Sequence, residues 1–142
     1  MNASLFSDQA RAGLYYLPAA QRNNLPHLIA KTHQTLLQAD VSTGKDSHQI
    51  LSELGKAFNF PTWYGTNFDA LHDCLTDPDW QPARGLVLEI SGLDPFRIDN
   101  PEAFSTLTEV LRSAAKARSA GKYPLWILLT SPAPGLANLA DA

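Results

Sequence analysis

LVLEI (Leu86–Ile90), PEAFSTLTEVLRSAAKARSA (Pro101–Ala120) and LWILL (Leu125–Leu129) follow one another along the second half of the chain. The two short apolar runs read as buried strands. The segment between them reads as a long helix. Pro101 suits a first helical position, Phe104, Leu107, Val110 and Leu111 form an apolar stripe, and Gly121 ends the element. A strand, a covering helix and a second strand, both strands apolar throughout, point to a parallel sheet flanked by helices.

The same alternation continues upstream. Gln34–Val41 predicts another strand, followed by a turn cluster at Ser42–Asp46. Ile50, Leu51, Leu54, Ala57 and Phe58 then recur at helical spacing, with Asp46 or Ser47 as the cap. Pro61 and Gly65 make Asn59–Gly65 a loop, and Thr66–Thr76 predicts a short helix. Further toward the N-terminus, Gly13–Leu17 reads as a strand suited to a sheet edge, and Ala19–Thr32 as a helix in which Pro26 allows a break. The tail from Ser131, with two prolines and a glycine, is expected to fray. The expectation is an α/β fold over 1–142 as a single domain: a small, mainly parallel sheet flanked by helices, with an added strand and helix in an extension over 1–33 and a flexible tail over 131–142. No internal repeat or low-complexity segment interrupts it.

Composition narrows the function. A chain of 142 residues with 44% hydrophobic and 18% charged residues is long and apolar enough for a globular core. A formal charge of −3 argues against nucleic-acid binding, which needs a basic footprint. The single cysteine, Cys74, permits no intramolecular disulfide and fits a reducing compartment. The first residues lack the pattern of a signal peptide, and no apolar run has the length of a membrane span. The expected location is the cytoplasm.

The acidity is local. Between Lys56 and Arg84 there is no lysine or arginine, while Asp69, Asp73, Asp77 and Asp79 give the stretch a formal −4, so the rest of the chain carries +1. Phe58, Phe60, Trp63, Tyr64, Phe68 and Trp80, six of the thirteen aromatics, crowd the same stretch. Aromatics beside charge are a protein-interface signature. At about 100° per residue, Phe68, Leu71, Cys74 and Leu75 share the core side of the predicted helix, and Asp69, His72, Asp73 and Thr76 the other. Like charges four apart cost a lone helix about 0.2–0.5 kcal/mol, and a cationic partner would offset that.

Each residue also has a plainer reading. Thr66 as N-cap with Asp69 three residues on makes a near capping box, although that leaves Asp73 unexplained. Asp77 and Asp79 flank Pro78 as turn residues would, and Trp63 and Tyr64 could fold inward. An acid–base enzyme using Asp69, His72 and Asp73 lacks a second motif to supply a cleft partner, and no GxSxG, phosphate-binding glycine loop or HExxH is present. The same three residues make a poor metal cage. His27, His33 and His48 are scattered, and Cys74 reads as a small core residue. No metal or other cofactor is expected.

Pro61-Thr62-Trp63-Tyr64-Gly65-Thr66-Asn67-Phe68-Asp69-Ala70-Leu71-His72-Asp73-Cys74-Leu75-Thr76 closely resembles the signature segment of the barstar family, without a gap, and its Asp-Ala-Leu-x-Asp-Cys-Leu core is specific. A weaker resemblance runs from about Thr35 to Thr130. It implies a barstar-like fold and a non-enzymatic inhibitor of a barnase-like ribonuclease or a related basic toxin. Carried over by position, Asp73 would mimic substrate phosphate and Asp69 would meet a second cation, with Trp63, Asn67 and Thr76 in contact around them. His72 stands where barstar itself has a tryptophan, so stacking there gives way to something polar or pH-sensitive. Ser113 stands where barstar has a partner-contacting glutamate, and Asp77-Pro78 replaces a glycine and a tryptophan. Residues 1–33 have no counterpart. These departures keep open an adapter role with a non-nuclease partner.

Overall fold

Apolar runs that lack a solvent face need cover on both sides, and the two central strands have it: every residue of Leu86–Ser91 and of Leu125–Leu129 is buried. The computed structural model describes residues 3–80 and 85–139. Arg84, which closes the stretch without bases, and residues 1–2 and 140–142 of the extension and tail lie outside the described residues.

Five strands form one parallel sheet: β1 (Leu14–Tyr16), β2 (Thr35–Asp40), β3 (Leu86–Ser91), β4 (Leu125–Leu129) and β5 (Ala137–Asn138), in the order β2-β3-β4-β1-β5. Leu88 at the centre lies opposite Leu37 on one side and Ile127 on the other. The helices are α1 (Ala19–Arg22), α2 (Leu25–Ala30), α3 (Ser47–Ala57), α4 (Phe68–Thr76), α5 (Asp94–Asp99) and α6 (Pro101–Ser119). The expected parallel pairing of the three family-type strands, with Gly13–Leu17 adding a strand, is what the sheet shows.

Strand alternation divides the interior into two cores. Leu86, Leu88, Ile90, Leu125, Ile127 and Leu129 face α3, α4 and α6, meeting Ile50, Leu54, Leu71, Leu75, Leu107 and Leu111 among others. Val87, Trp126 and Leu128 face the opposite way and meet Leu5, Phe6, Leu17, Leu25, Ile29 and Leu139. The extension and the tail therefore build the second core.

Several boundaries differ from the sequence reading. Ala19–Thr32 is two short helices, broken at Asn23–Asn24, and Pro26 lies in the first turn of α2, where its missing N–H breaks no helical bond. The expected fraying of the tail does not extend to 137–139: Ala137 and Asn138 pair with Tyr15 and Tyr16, and Leu139 is fully buried. The open edge of β1 and the apolar second face offset the entropy of ordering this segment. β1 is consequently not an edge strand. Asp46 caps α3, its side chain accepting from the Gln49 N–H. α4 starts at Phe68, two residues later than expected. Asn67, not Thr66, is its cap, and Thr66 takes a positive φ of 55° before it.

β3 is not apolar throughout, as its sequence reads at first: Glu89 is its one charged residue and is only 2% exposed. A carboxylate buried at that depth needs partners. Arg22 Nε donates to one oxygen at 2.8 Å and Gln38 Nε2 to the other at 2.8 Å. The extension thus supplies the counter-charge for a carboxylate at the middle of the sheet. We expect Arg22→Met to destabilise the fold by about 2–3 kcal/mol in urea unfolding, somewhat below the usual cost of orphaning a buried charge because Arg22 is itself 43% exposed. Adding Glu89→Gln should recover more than half of that loss.

Cys74 is fully buried on the core side of α4. Burial, with the nearby Asp77 and Asp73 carboxylates adding to it, pushes its thiol from an ordinary 9.0 up to about 11. The folded state thus favours the neutral thiol, and unfolding above pH 9 releases a proton. Its contribution to stability is complete below about pH 9 and is lost as pH rises from there toward 11. The native thiol should resist alkylation at pH 8 and react once the chain unfolds in urea. Cys74→Ala should cost about 1 kcal/mol of stability.

Candidate functional site

The loop before α4 is held by its aromatics. Phe60 packs edge-to-face against Phe58, Tyr64 and Trp80, at centroid distances of 6.1, 4.9 and 5.0 Å. Tyr64 Oη donates to the Leu51 carbonyl at 2.9 Å, and Trp80 Nε1 donates to the Phe58 carbonyl at 2.9 Å. Gly55 is what lets the Tyr64 ring approach α3, since a Cβ there would lie 2.8 Å from the ring. Burial keeps the Tyr64 hydroxyl well above its usual range of ionisation. Four of the six aromatics in the acidic stretch thus lock the loop, and Phe68 is half-buried. Trp63 alone stands out, at 54% exposure.

α4 presents the two faces its spacing predicts. Leu71, Cys74 and Leu75 are buried, while Asp69 and Asp73 are exposed, one turn apart. Among the described residues no ion pair reaches Asp69, Asp73, Asp77 or Asp79. Asn67 is exposed at the head of the helix, but its side-chain oxygen accepts the Ala70 N–H at 2.7 Å, so it also holds the first turn. Thr76 is half-buried and its hydroxyl donates to the His72 carbonyl at 2.8 Å. Asp77 Oδ1 accepts the Asp79 N–H at 2.9 Å, as the turn reading expects.

His72 lies between the two aspartates, half-buried, with Nε2 3.2 Å from Ser113 Oγ on α6. Two of the positions that depart from the family pattern therefore touch. They are 41 residues apart, so spacing could not reveal the contact; their shared departure from the pattern was the available signal. A second α6 residue reaches α4: Arg118 Nη1 donates to the Leu75 carbonyl at 3.3 Å, and its Nε to the Tyr123 carbonyl at 2.8 Å. It meets backbone, not the carboxylates. The site is thus an exposed acidic helix face on a fixed base, with His72 tied to the neighbouring helix. Among the described residues no group of three histidine, cysteine, aspartate or glutamate side chains could hold a metal ion, and no helix is long and apolar enough to cross a membrane.

A search of curated proteins found no match to the chain. A family model described as Barstar (barnase inhibitor) matches residues 34–130, more than half of the chain. The match begins beside β2, ends just past β4 and contains α3, α4 and α6, so the acidic helix and most of the core that carries it lie inside it. The chain belongs to the barstar family.

Proposed function

We propose that this protein is an intracellular inhibitor of a barnase-like ribonuclease, docking the acidic face of α4 in the enzyme's cationic active site. The observation that carries the reading is the pair Asp69 and Asp73, exposed one turn apart, with no ion-pair partner among the described residues. A nuclease site holds cations placed for phosphate. A carboxylate delivered on a pre-ordered helix makes charge-assisted hydrogen bonds there with little further loss of entropy. Asp73 is the main anchor and Asp69 the second, with Trp63, Asn67, His72 and Thr76 around them.

The family is one of inhibitors at the level of its description. The acid–base alternative has less support, because His72 is bonded to Ser113, not to either aspartate. A second reading, a module for a different basic protein, is favoured by His72 and Ser113, which give this surface a polar seam where barstar itself has a tryptophan and a glutamate.

The test is an inhibition titration of a barnase-like ribonuclease with the parent, Asp73→Ala and Asp79→Ala. Asp73→Ala should weaken binding at least about thirtyfold, the roughly 2 kcal/mol of an interface hot spot; barnase and barstar are themselves among the complexes behind that figure. Most of the loss should be in faster dissociation, while the parent's on-rate should fall as salt rises. Asp79→Ala should cost only a few-fold. Circular dichroism should show Asp73→Ala folded and no less stable than the parent. Equal inhibition by Asp73→Ala and the parent would remove Asp73 from the interface. Failure of the parent to inhibit, with a basic protein of another kind captured instead, would favour the second reading.

A further inference from the structure

Beside α4 lies a cleft of about 320 Å³ lined by Asn59, Pro61, Trp63, Asp77, Asp79 and Trp80. One wall is the Trp63 indole, one of the two large hydrophobic side chains the described residues leave exposed. The lining also includes two carboxylates, Asp77 and Asp79, with no ion-pair partner among the described residues. The turn that carries the carboxylates is fixed in advance. Trp80 ties its turn to the Phe58 carbonyl and packs on Phe60, and the Asp77–Asp79 hydrogen bond closes that turn.

We infer that this cleft receives an arginine side chain of the partner that docks on α4, an inference that rests on the reading of α4 as a docking helix. A guanidinium is planar and weakly hydrated. It stacks on an indole face while its N–H fork engages carboxylates, which matches a cleft lined by an indole and two aspartates. An anionic group would meet only like charge. A divalent cation is a poor fit, because two carboxylates fall short of the six to eight oxygens that calcium takes. Asp77 is also the C-cap of α4, so the cleft begins at the end of the helix that carries Asp69 and Asp73. A partner lying along the helix reaches both.

The cleft can be probed alone by NMR titration with Nα-acetyl-arginine methylamide and with its neutral citrulline counterpart. Saturable, salt-sensitive shifts are expected at the Trp63 indole N–H and the Asp79 amide with the arginine compound, and none with citrulline. Trp63→Ala, an exposed change that leaves the fold intact, and the double variant Asp77→Asn/Asp79→Asn should each weaken arginine binding about fivefold or more. Asp73→Asn should alter it by less than about twofold. Equal shifts with citrulline, shifts centred on Asp69 and Asp73, or an undiminished response in both Trp63→Ala and the double variant would overturn the inference. The small probe reports on the cleft without any nuclease, so its failure is distinct from a failure of the inhibition titration.

Discussion

β3 must be covered on both faces, and the rest of the molecule is arranged around that constraint. Its outward-alternating residues Leu86, Leu88 and Ile90 go to one core and Val87 to the other, while Glu89 is buried with Arg22 and Gln38 as partners. At about 1.5–3 kcal/mol for each fully buried large apolar side chain, neither face can be left to water. The family-matched span, 34–130, supplies α3, α4 and α6 for one face. The other is covered from outside that span, by Leu5, Phe6, Leu17, Leu25, Ile29 and Leu139. The extension is thus part of the fold's interior, and the short β5 is the piece that closes the sheet edge which β1 opens.

The same constraint positions α4. Because the sheet face holds Leu71 and Leu75 in its core, the opposite side of a nine-residue helix is fixed toward solvent. The loop ahead of it is fixed separately, through the Phe60 cluster and the Tyr64–Leu51 and Trp80–Phe58 hydrogen bonds. Two independent anchors bracket the acidic face. Side chains on such a base meet a partner already ordered, which limits the entropy lost on binding.

What the sequence made legible follows from periodicity. The apolar β3 and β4 and the apolar stripe of α6 were readable because burial on a whole face or stripe leaves a regular pattern, and the two faces of α4 were readable for the same reason. What it hid depended on contacts distant in sequence or on competition between neighbours. β5 is two residues long and exists only because β1 offers an edge. Thr66 and Asn67 are both competent caps, and the choice fell to Asn67 once Thr66 adopted a positive φ. The six aromatics read as an interface cluster, yet four of them are scaffold, since residue type does not say which side of a loop faces the core. The His72–Ser113 contact joins two helices that sequence order keeps apart.

α4 is, finally, a helix whose charges work against it. Asp69 in the first turn suits the helix dipole, but Asp73 repels Asp69, the last turn carries no basic residue, and the C-cap is Asp77. Each unfavourable term is worth a few tenths of a kcal/mol to about 1 kcal/mol. Burying Leu71 and Leu75 without exposed surface contributes several times as much, and Arg118 from α6 satisfies the Leu75 carbonyl near the C-terminal end. The fold can therefore carry the acidic face without needing it. Under the proposed docking on a cationic site, each of those small penalties would become an attraction.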